Sequence, residues 1–539
     1  MSSPLPSVGT RLCLHKHLAT IRYVGEVDGT KGTWLGVEWD DPFRGKHDGI
    51  KDGKRYFSCL VPNAGSFIRP VPAIDYGRSF LQALTEKYIE AFHGAEKPEV
   101  IVLGSSNGAI QVEAVDLDKI RHKFAKVEQL REISLDKENV SSADPEGLIR
   151  TKCPNVKGVD LSYSLIPSWD VIALIARELP LLERLALNND RLQAFSSASL
   201  NINAFQRLTE LELNATLMTW QEMLDVVTSM PTLKQVEMGY NRLTKLLPAR
   251  YPDPFNSGIE VVNLDGNQLS DWTDVCRALA PFTRLNRLIL STNPLSTVPS
   301  RDGSSNLEVQ PLPQVKHLAF LSAGISTWAS VDALNSWLPG LESLSLSGTP
   351  LVEDEQTGRT WRQFVIARVP SLRVLDSTPI SPHQRTDAEL FYLSSVAREP
   401  FESETARRLS HPRWETLCKL YGAPTTALAT RPKKDTLNSR LIRAHCQLTN
   451  FPDIKATLSK PDTQTPTDLR ILPTTPLRVL RLKLLKTFKS PRGASAEISV
   501  RMADGSLAPL GDPDGSEDGK EISWWLEDGA EIDVRVHTP

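Results

Sequence analysis

The chain carries the stretch Gly45-Lys46-His47-Asp48-Gly49, followed closely by Gly53-Lys54-Arg55-Tyr56-Phe57 and Gly65-Ser66-Phe67-Ile68-Arg69-Pro70. Glycine allows turns and close backbone approaches that other residues do not, so three such segments predict a tightly bent backbone. Four aromatic residues and two cations are interleaved with them: Trp34, Trp39, Phe57, Phe67, Lys46 and Arg69. This pattern predicts an apolar groove with cationic ends, suited to an extended acidic peptide with a terminal aromatic residue and a free carboxylate. It favours a binding module over an enzyme.

The order of these segments, starting at Gly36-Val37-Glu38-Trp39, closely resembles a CAP-Gly domain over about residues 5–75. The usual core of that family is Gly-Lys-Asn-Asp-Gly, and His47 stands here in place of the Asn. A histidine can still donate a hydrogen bond through a ring nitrogen, with different geometry and protonation. The resemblance implies a small all-β barrel over residues 1–75 that binds C-terminal Glu-Glu-Tyr or Glu-Glu-Phe tails, such as that of α-tubulin.

The resemblance also implies roles for individual residues. Lys46 and His47 would hold the tail near its terminal carboxylate and acidic side chains. Trp34 and Phe67 would line the groove, and Arg69 would add a second cation.

The remaining positions of the motif include one departure from the family and several residues that also suit packing. Gly29 stands where some members carry a groove Phe, so one wall is expected to be thinner. Trp39 is a groove candidate, but packing in the barrel core is the favoured interpretation. The remaining candidates are Phe57 and the motif glycines Gly45, Gly49 and Gly65.

Length and composition restrict the rest of the chain. At 539 residues we expect about three or four domains. A net charge of −3 gives no general nucleic-acid or membrane signal. The six cysteines are scattered without a CxxC pair, which argues against a zinc site or a disulfide framework. No signal sequence and no apolar run of about 20 residues is visible, so we expect a cytoplasmic protein. The CAP-Gly resemblance implies that it is also cytoskeleton-associated.

One unit recurs through the middle of the chain, as in Leu233, Val236, Met238, Asn241 and Leu243. Ten copies start at Leu130, Val156, Leu182, Leu208, Leu233, Ile259, Leu285, Val315, Leu341 and Leu372. Their usual spacing of about 26 residues lies within the leucine-rich repeat range. We therefore predict an α/β leucine-rich solenoid in which short strands such as 184–186 line a concave face.

Two side-chain types recur at fixed places in these repeats. Asn241, Asn267 and Asn293 fall at the bend after the strand, where an inward amide satisfies backbone groups. Tryptophans recur later in the unit, at Trp169, Trp220, Trp272 and Trp328. Packing in the core on the convex side is favoured for them over a binding stripe.

The flanks of the array carry weaker signals. Residues 76–128 are predicted to be a connector that caps the array, with a helix over 79–92 and strands over 100–103 and 109–115. The array and its C-terminal cap are assigned to 129–400, with a loop insertion at 299–313. Residues 401–435 are assigned to a linker with a helix around 414–421.

The last segment, 436–539, changes character. Residues 437–447 can form one strand of a hairpin, and Thr475 caps a helix with Pro476 in its first turn. With strands over 497–502 and 531–536, this gives the order β-β-α-β-β. This order resembles an α+β ubiquitin-like (β-grasp) domain. The ending His537-Thr538-Pro539 lacks the Gly-Gly that conjugation requires, so we expect a docking module that is not conjugated.

The three domains in this order resemble the tubulin-folding cofactor E family over essentially the whole chain. The resemblance implies a non-enzymatic chaperone without a cofactor. It would bind α-tubulin, join it to β-tubulin with the other tubulin cofactors (B, C and D), and disrupt existing heterodimers. The ubiquitin-like end suggests the proteasome as a further partner. Neither a nucleic acid nor a membrane is expected as a partner. The alternative is a microtubule plus-end adaptor, although no heptad for dimerisation is visible.

An enzyme is less well supported. The segment Gly104-Ser105-Ser106-Asn107-Gly108 matches Gly-x-Ser-x-Gly, but a strand is predicted after it where a nucleophile elbow needs a helix. A hairpin turn is the favoured interpretation. His445 and Cys446 are adjacent in sequence, and strand packing explains them better than catalysis. No phosphate-binding loop and no clustered metal ligands are found.

Overall fold

A computed structural model describes residues 5–90, 127–195, 203–252, 255, 258–301, 309–354, 360–424, 441–448, 467–491, 493–502, 505–511 and 516–537. The chain divides into two compact units, residues 1–424 and 425–539. The predicted strands over 100–103 and 109–115 and the segment 104–108 lie outside the described residues. No helix in the described ranges combines the length and apolar character that crossing a membrane requires.

The first unit begins with an antiparallel sheet in the order β1-β2-β3-β6. These strands are Arg11–Leu14, His17–Glu26, Thr33–Trp39 and Gly65–Ile68. A two-stranded hairpin, β4 (Ile50–Lys51) with β5 (Lys54–Arg55), lies between β3 and β6 in the chain. The all-β character is as predicted. In place of a closed barrel, the described pairings form an open sheet, because most of residues 45–65 is turn and loop.

A buried apolar cluster holds this sheet together. Leu12, Ile21, Leu35 and Val37 are fully buried in it, and Trp39 is almost fully buried. Trp39 therefore packs in the core, as the sequence favoured. Burying such side chains contributes about 1.5–3 kcal/mol each.

The second part of this unit is an eleven-stranded sheet in which ten strands run parallel. Each begins two residues after a predicted repeat start. The parallel strands are β8 (Glu132–Ser134), β10 (Gly158–Asp160), β11 (Arg184–Ala186), β12 (Glu210–Glu212), β13 (Gln235–Glu237), β14 (Val261–Asn263), β15 (Arg287–Ile289), β16 (His317–Ala319), β17 (Ser343–Ser345) and β18 (Val374–Leu375). The eleventh, β19 (Thr378–Pro379), pairs antiparallel with β18. The predicted solenoid is confirmed at the level of a long parallel sheet with helices.

Neighbouring repeats share one core. In every three-residue strand the middle side chain is buried and faces the middle side chain of the next strand, as Val236 faces Val262. Because the register never shifts along the parallel strands, apolar side chains stack as a continuous column and each repeat buries the face of its neighbour.

Asparagines fix the bend after the strand. The Asn267 amide nitrogen donates to the carbonyl oxygens of Met238 and Leu264, both at 2.9 Å. Its side-chain oxygen accepts from the backbone nitrogen of Asn241 at 2.9 Å. Asn241, Asn267 and Asn293 are all buried, so the predicted inward amides are confirmed.

The convex side carries helices that begin at the recurring tryptophans. They are α3 (Trp169–Arg177), α4 (Trp220–Val227), α5 (Trp272–Leu279) and α6 (Trp328–Trp337). The first three tryptophans are buried in the core, and Trp328 is partly buried against it. Core packing, the favoured interpretation, is therefore confirmed for these side chains.

The N-terminal connector contains shorter elements than predicted. Strand β7 (Arg78–Ser79) pairs with β9 (Val140–Ser142), and helix α1 (Phe80–Thr85) is followed by a π-helical stretch, Glu86–Glu90. The helix predicted over 79–92 is thus present, but its regular α part ends at Thr85. Helix α2 (Leu148–Lys152) lies between β9 and β10.

Helices also close the C-terminal end of the array. They are α7 (Pro350–Glu353), α8 (Trp361–Arg368), α9 (Pro382–Arg398), α10 (Glu404–Ser410) and α11 (Trp414–Tyr421). Trp414 and Leu417 of α11 pack into a buried cluster with Tyr392 of α9. The segment assigned to a linker, 401–435, is therefore packed structure up to residue 421, since this apolar cluster holds it against the cap. Residues 425–435 lie outside the described residues.

The second unit is a mixed five-stranded sheet in the order β21-β20-β24-β22-β23. The strands are β20 (Ile442–Leu448), β21 (Thr467–Ile471), β22 (Ser495–Arg501), β23 (Leu507–Pro509) and β24 (Ala530–His537), and helix α12 is Leu477–Thr487. Leu477, Leu480 and Leu484 of α12 are fully buried in the core. Pro476 is itself the N-cap residue, so the predicted Thr475 cap is wrong by one position. Strand β23 was not predicted.

Candidate functional site: a groove in the N-terminal sheet

Close backbone approaches shape the groove. A Cβ at Gly45 would overlap the carbonyl oxygen of Asn63, and one at Gly65 would lie 2.6 Å from the carbonyl oxygen of His47. Gly49 has a positive φ of 76° and a Cβ there would overlap the backbone of Phe57. These three motif glycines are therefore required by packing, because any side chain would push the loop away from β6.

The loop and the sheet enclose a groove of about 520 Å³. Its lining residues are Val27, Thr30, Trp34, Trp39, Arg44, Lys46, His47, Lys51, Ser66, Phe67 and Ile68. Five of the seven side chains predicted to bind a peptide line it, and no carboxylate is among the lining residues. Phe57 and Arg69 are not among them.

Phe57 and Arg69 act from behind the groove wall. Phe57 is buried, and its ring meets the Phe67 ring edge-on with centroids 5.5 Å apart. The Arg69 guanidinium lies 3.8 Å from the centroid of the Trp34 ring and donates to the carbonyl of Thr33 at 3.1 Å. Both side chains therefore hold lining aromatics in place.

The Trp34 ring is also fixed from the groove side. Its indole nitrogen donates to the hydroxyl of Thr30 at 2.7 Å. With Arg69 on one face, the ring has little rotational freedom, so a ligand would meet a preformed apolar wall.

His47 has a defined tautomer. Its Nδ1 accepts a hydrogen bond from the backbone nitrogen of Gly49 at 3.0 Å, so the proton of the neutral ring is on Nε2. Burial lowers the pKa of His47, opposed by Asp48 and supported by Lys46. The ring centroid lies 5.0 Å from that of Phe67. His47 is thus a neutral donor beside an aromatic wall.

Two lining cations were not predicted from the sequence. The Arg44 guanidinium lies 4.3 Å from the centroid of the Trp39 ring, in a short 3₁₀ turn, Pro42–Arg44. Lys51 donates to the carbonyl of Asp28 at 3.2 Å. Together with Lys46 they give the groove three cations. The only sequence signal for Arg44 was its place directly before Gly45.

Three buried polar atoms of the lining residues have no hydrogen-bond partner among the described residues. They are Nε1 of Trp39, Oγ of Ser66 and Nε of Arg44. An unpartnered buried donor costs about 1–3 kcal/mol. A ligand rich in acceptor oxygens would offset that cost.

The described residues offer little for catalysis. They contain no group of three His, Cys, Asp or Glu side chains that could hold a metal ion. His445 points outward and pairs with Asp468 at 2.6 Å, while Cys446 is buried on the other face of β20. Burial raises the pKa of Cys446 to about 11, so this thiol is not activated.

Fold and groove define a CAP-Gly protein with a repeat array, and residues 8–72 match the family model "CAP-Gly domain". Relatives extend over most of the chain. "Tubulin-specific chaperone E" of Bos taurus is 31% identical over 93% of this chain and 96% of its own length. The protein of the same name from Danio rerio is 34% identical over 81% and 83%. "Tubulin-folding cofactor E" of Arabidopsis thaliana is 31% identical over 76% of each chain.

The chain belongs to the tubulin-specific chaperone E family. It is thus a non-enzymatic chaperone with a general role in tubulin folding, as its sequence predicted.

Proposed function

We propose that the groove binds the acidic C-terminal tail of α-tubulin. The observation that carries this proposal is the lining itself, which has three cations, three unpartnered polar atoms and no carboxylate. Lys46 and Arg44 pair with tail carboxylates, His47 donates from Nε2, and the terminal aromatic ring packs against Trp34 and Phe67. Charge-assisted contacts of this kind are stronger than neutral hydrogen bonds.

The test is titration calorimetry with a Glu-Glu-Tyr tail peptide. Lys46→Ala removes a charge-assisted contact of about 1.5–3 kcal/mol, so affinity falls about tenfold or more. The matched control is Lys54→Ala, since Lys54 is paired with Asp28 at 2.9 Å outside the groove lining. Removing the terminal Tyr of the peptide weakens binding similarly.

Equal binding of peptides with and without the Tyr refutes the groove assignment. An unchanged thermal transition of Lys46→Ala separates loss of binding from unfolding.

The array, in this proposal, binds the body of α-tubulin. Support comes from its size, because a stack of eleven strands about 4.8 Å apart can present far more than the roughly 1,000 Å² of a specific interface. The full chain carrying Lys46→Ala should therefore still associate with α-tubulin whose tail has been removed. No association of this folded variant with tail-less α-tubulin refutes the role of the array.

The wider role is assembly and disruption of αβ-tubulin heterodimers in the cytoplasm, together with tubulin cofactors B, C and D. The second candidate remains a plus-end adaptor that uses the same groove on polymer. Sedimentation separates them: a folding cofactor stays with free tubulin subunits in the supernatant, whereas an adaptor pellets with polymer.

The second unit is proposed to be a ubiquitin-like docking module, with the proteasome or another cofactor as partner. Its support is topological. Numbered within the unit, the sheet order is 2-1-5-3-4, the first and last strands run parallel, and helix α12 packs on one face. Deleting residues 436–539 should leave peptide binding by the groove intact and weaken partner recruitment. Undiminished recruitment by the deleted protein refutes the docking role.

A further inference from the structure

The open face of the sheet in the second unit is covered by charged and polar side chains. Its exposed outward residues are Arg443, His445, Gln447, Asp468, Arg470, Glu497, Arg501, Glu531, Arg535 and His537. Several of them pair across strands, as Arg501 does with Asp533 at 2.8 Å. Among the described residues, the one half-exposed apolar side chain on this face is Leu507, which is 46% exposed and lies opposite Arg501 on the edge strand β23.

Apolar side chains are also exposed on helix α12. Leu477, Leu480 and Leu484 point into the core, while Val479 is 41% exposed and Leu482 is 66% exposed. Residues three and four apart are neighbours on a helix surface, so Val479, Leu482, Lys483 and Lys486 form one outward face. One exposed Leu is ordinary on a protein surface, but Val479 and Leu482 lie side by side on one helix face and together form an apolar patch.

Nearby segments extend this surface. The Lys483 ammonium donates to the carbonyl of Arg470 at 3.2 Å, so the outward face borders the edge strand β21. Leu472, directly after β21, is 41% exposed.

The charged side chains of helix α12 are all positive. Helix α12 carries four cations and no carboxylate. Arg481 is paired with Asp518 at 3.1 Å. Among the described residues, Arg478, Lys483 and Lys486 have no carboxylate partner. Like charges in adjacent turns repel, which a negatively charged partner would relieve.

We propose that this outward face, made of Leu472, Val479, Leu482, Lys483 and Lys486, binds an acidic amphipathic helix of a partner protein. The inference rests on the docking role proposed for this unit and places it on the helix face. Apolar side chains at i, i+3 or i+4 of the partner cover Val479 and Leu482, and flanking glutamates pair with the two lysines.

The probe is a fluorescent, C-terminally amidated helical peptide of about 18 residues, with leucines at i, i+3 and i+4 spacing and glutamates on both flanks. The amide and the absence of a terminal aromatic keep it out of the groove. Full-length protein carrying Lys46→Ala is titrated by fluorescence anisotropy. The double variant Lys483→Glu/Lys486→Glu should bind about tenfold more weakly, and Leu482→Ser should bind several-fold more weakly.

Matched controls carry the same chemical changes elsewhere. Arg443→Glu places a charge reversal on the open sheet face, and Met502→Ser removes another half-exposed apolar side chain. Both should bind the peptide like the parent protein.

Three results would overturn the proposal. They are equal binding by the helix-face variants, equal binding of a peptide with lysine in place of glutamate, and binding only to phosphatidylserine vesicles, which would indicate a membrane surface. The tail affinity of the protein with Lys46 restored, measured in parallel, shows whether the groove function stands when this proposal fails.

Discussion

The repeat array and the groove differ in how their buried polar groups are hydrogen-bonded. In the array, the Asn267 side-chain amide is hydrogen-bonded to backbone groups of its own repeat and of the preceding one. Among the residues that line the groove, three buried polar atoms have no hydrogen-bond partner among the described residues. The array also has unpartnered buried atoms, such as Nε1 of Trp220, but none of them belongs to a residue that lines the groove. In the proposed function a ligand completes the groove, whereas the asparagines of the array are satisfied within the fold.

The largest expected effect concerns the core of the repeat array. Leu264 is fully buried in the array core. Leu264→Ala leaves a cavity and should cost about 2–5 kcal/mol of unfolding free energy, measured by urea denaturation. The groove should still bind a tail peptide below the transition. A cost below about 1 kcal/mol, typical of a surface position, would contradict the assigned register.

The next prediction concerns a repeat in which a fully buried acid occupies the asparagine position. Asp190 is fully buried, one of its oxygens accepts from Ser164, and the other has no partner among the described residues. Burial raises its pKa to about 8. The folded state therefore holds a proton that the unfolded chain has released above about pH 4, so stability falls as pH rises from 4 towards 8.

Asp190→Asn should remove this pH dependence and stabilise the protein at pH 8 by about 1–3 kcal/mol. The converse variant, Asn241→Asp, should introduce such a dependence into a repeat that lacks it. Thermal melts of both variants across pH 5–8 decide the matter. A stability profile for Asp190→Asn parallel to that of the unchanged protein would rule out the buried acid as its cause.

The sequence predicted the array far better than the groove, for a physical reason. A strand that recurs in ten copies is located by averaging over the copies, so each start was placed to the residue. The groove is built once, and Arg44 and Lys51 belong to no recurring pattern. Their contact with the groove depends on how loop 42–51 folds across β3 and β6, which glycine spacing alone does not specify.

Two other differences between the sequence-based prediction and the structure have local causes. Helix α10 (Glu404–Ser410) buries none of its residues, so it shows no apolar periodicity and was absorbed into a predicted linker. Phe57 was predicted to bind peptide because aromatic residues near a glycine motif suit both packing and binding. Only the structure shows that Gly49 and Gly65 lie close against Phe57, which packs this ring inside the fold.

A smaller effect concerns the groove and its unpartnered polar atoms. Ser66→Ala removes an unpartnered hydroxyl that has no role in the free fold. Thermal stability should not fall, because the variant no longer buries an unpartnered hydroxyl, while tail affinity should fall by about 0.5–1.5 kcal/mol, the contribution of one hydrogen bond. Calorimetry with the Glu-Glu-Tyr peptide measures the second quantity. Unchanged affinity would show that the tail leaves this hydroxyl unpaired.

The smallest expected effect concerns pH and His47. Because Nδ1 accepts from Gly49 and burial lowers the pKa of the ring below that of a free histidine, His47 should remain mostly neutral as pH falls from 7.5 towards 6.5. The tail carboxylates stay ionised over this range. Tail affinity should therefore be nearly flat with pH.

His47→Asn supplies a neutral donor of similar reach, so it should change tail affinity by less than about threefold and leave the profile flat. The measurement is the tail affinity of both proteins at several pH values. A marked rise in affinity between pH 7.5 and 6.5 in the His47 protein, absent from the Asn variant, would mean that the ring gains a proton on binding. His47 would then act as a cation, and the hydrogen bond from Gly49 would have to break in the complex.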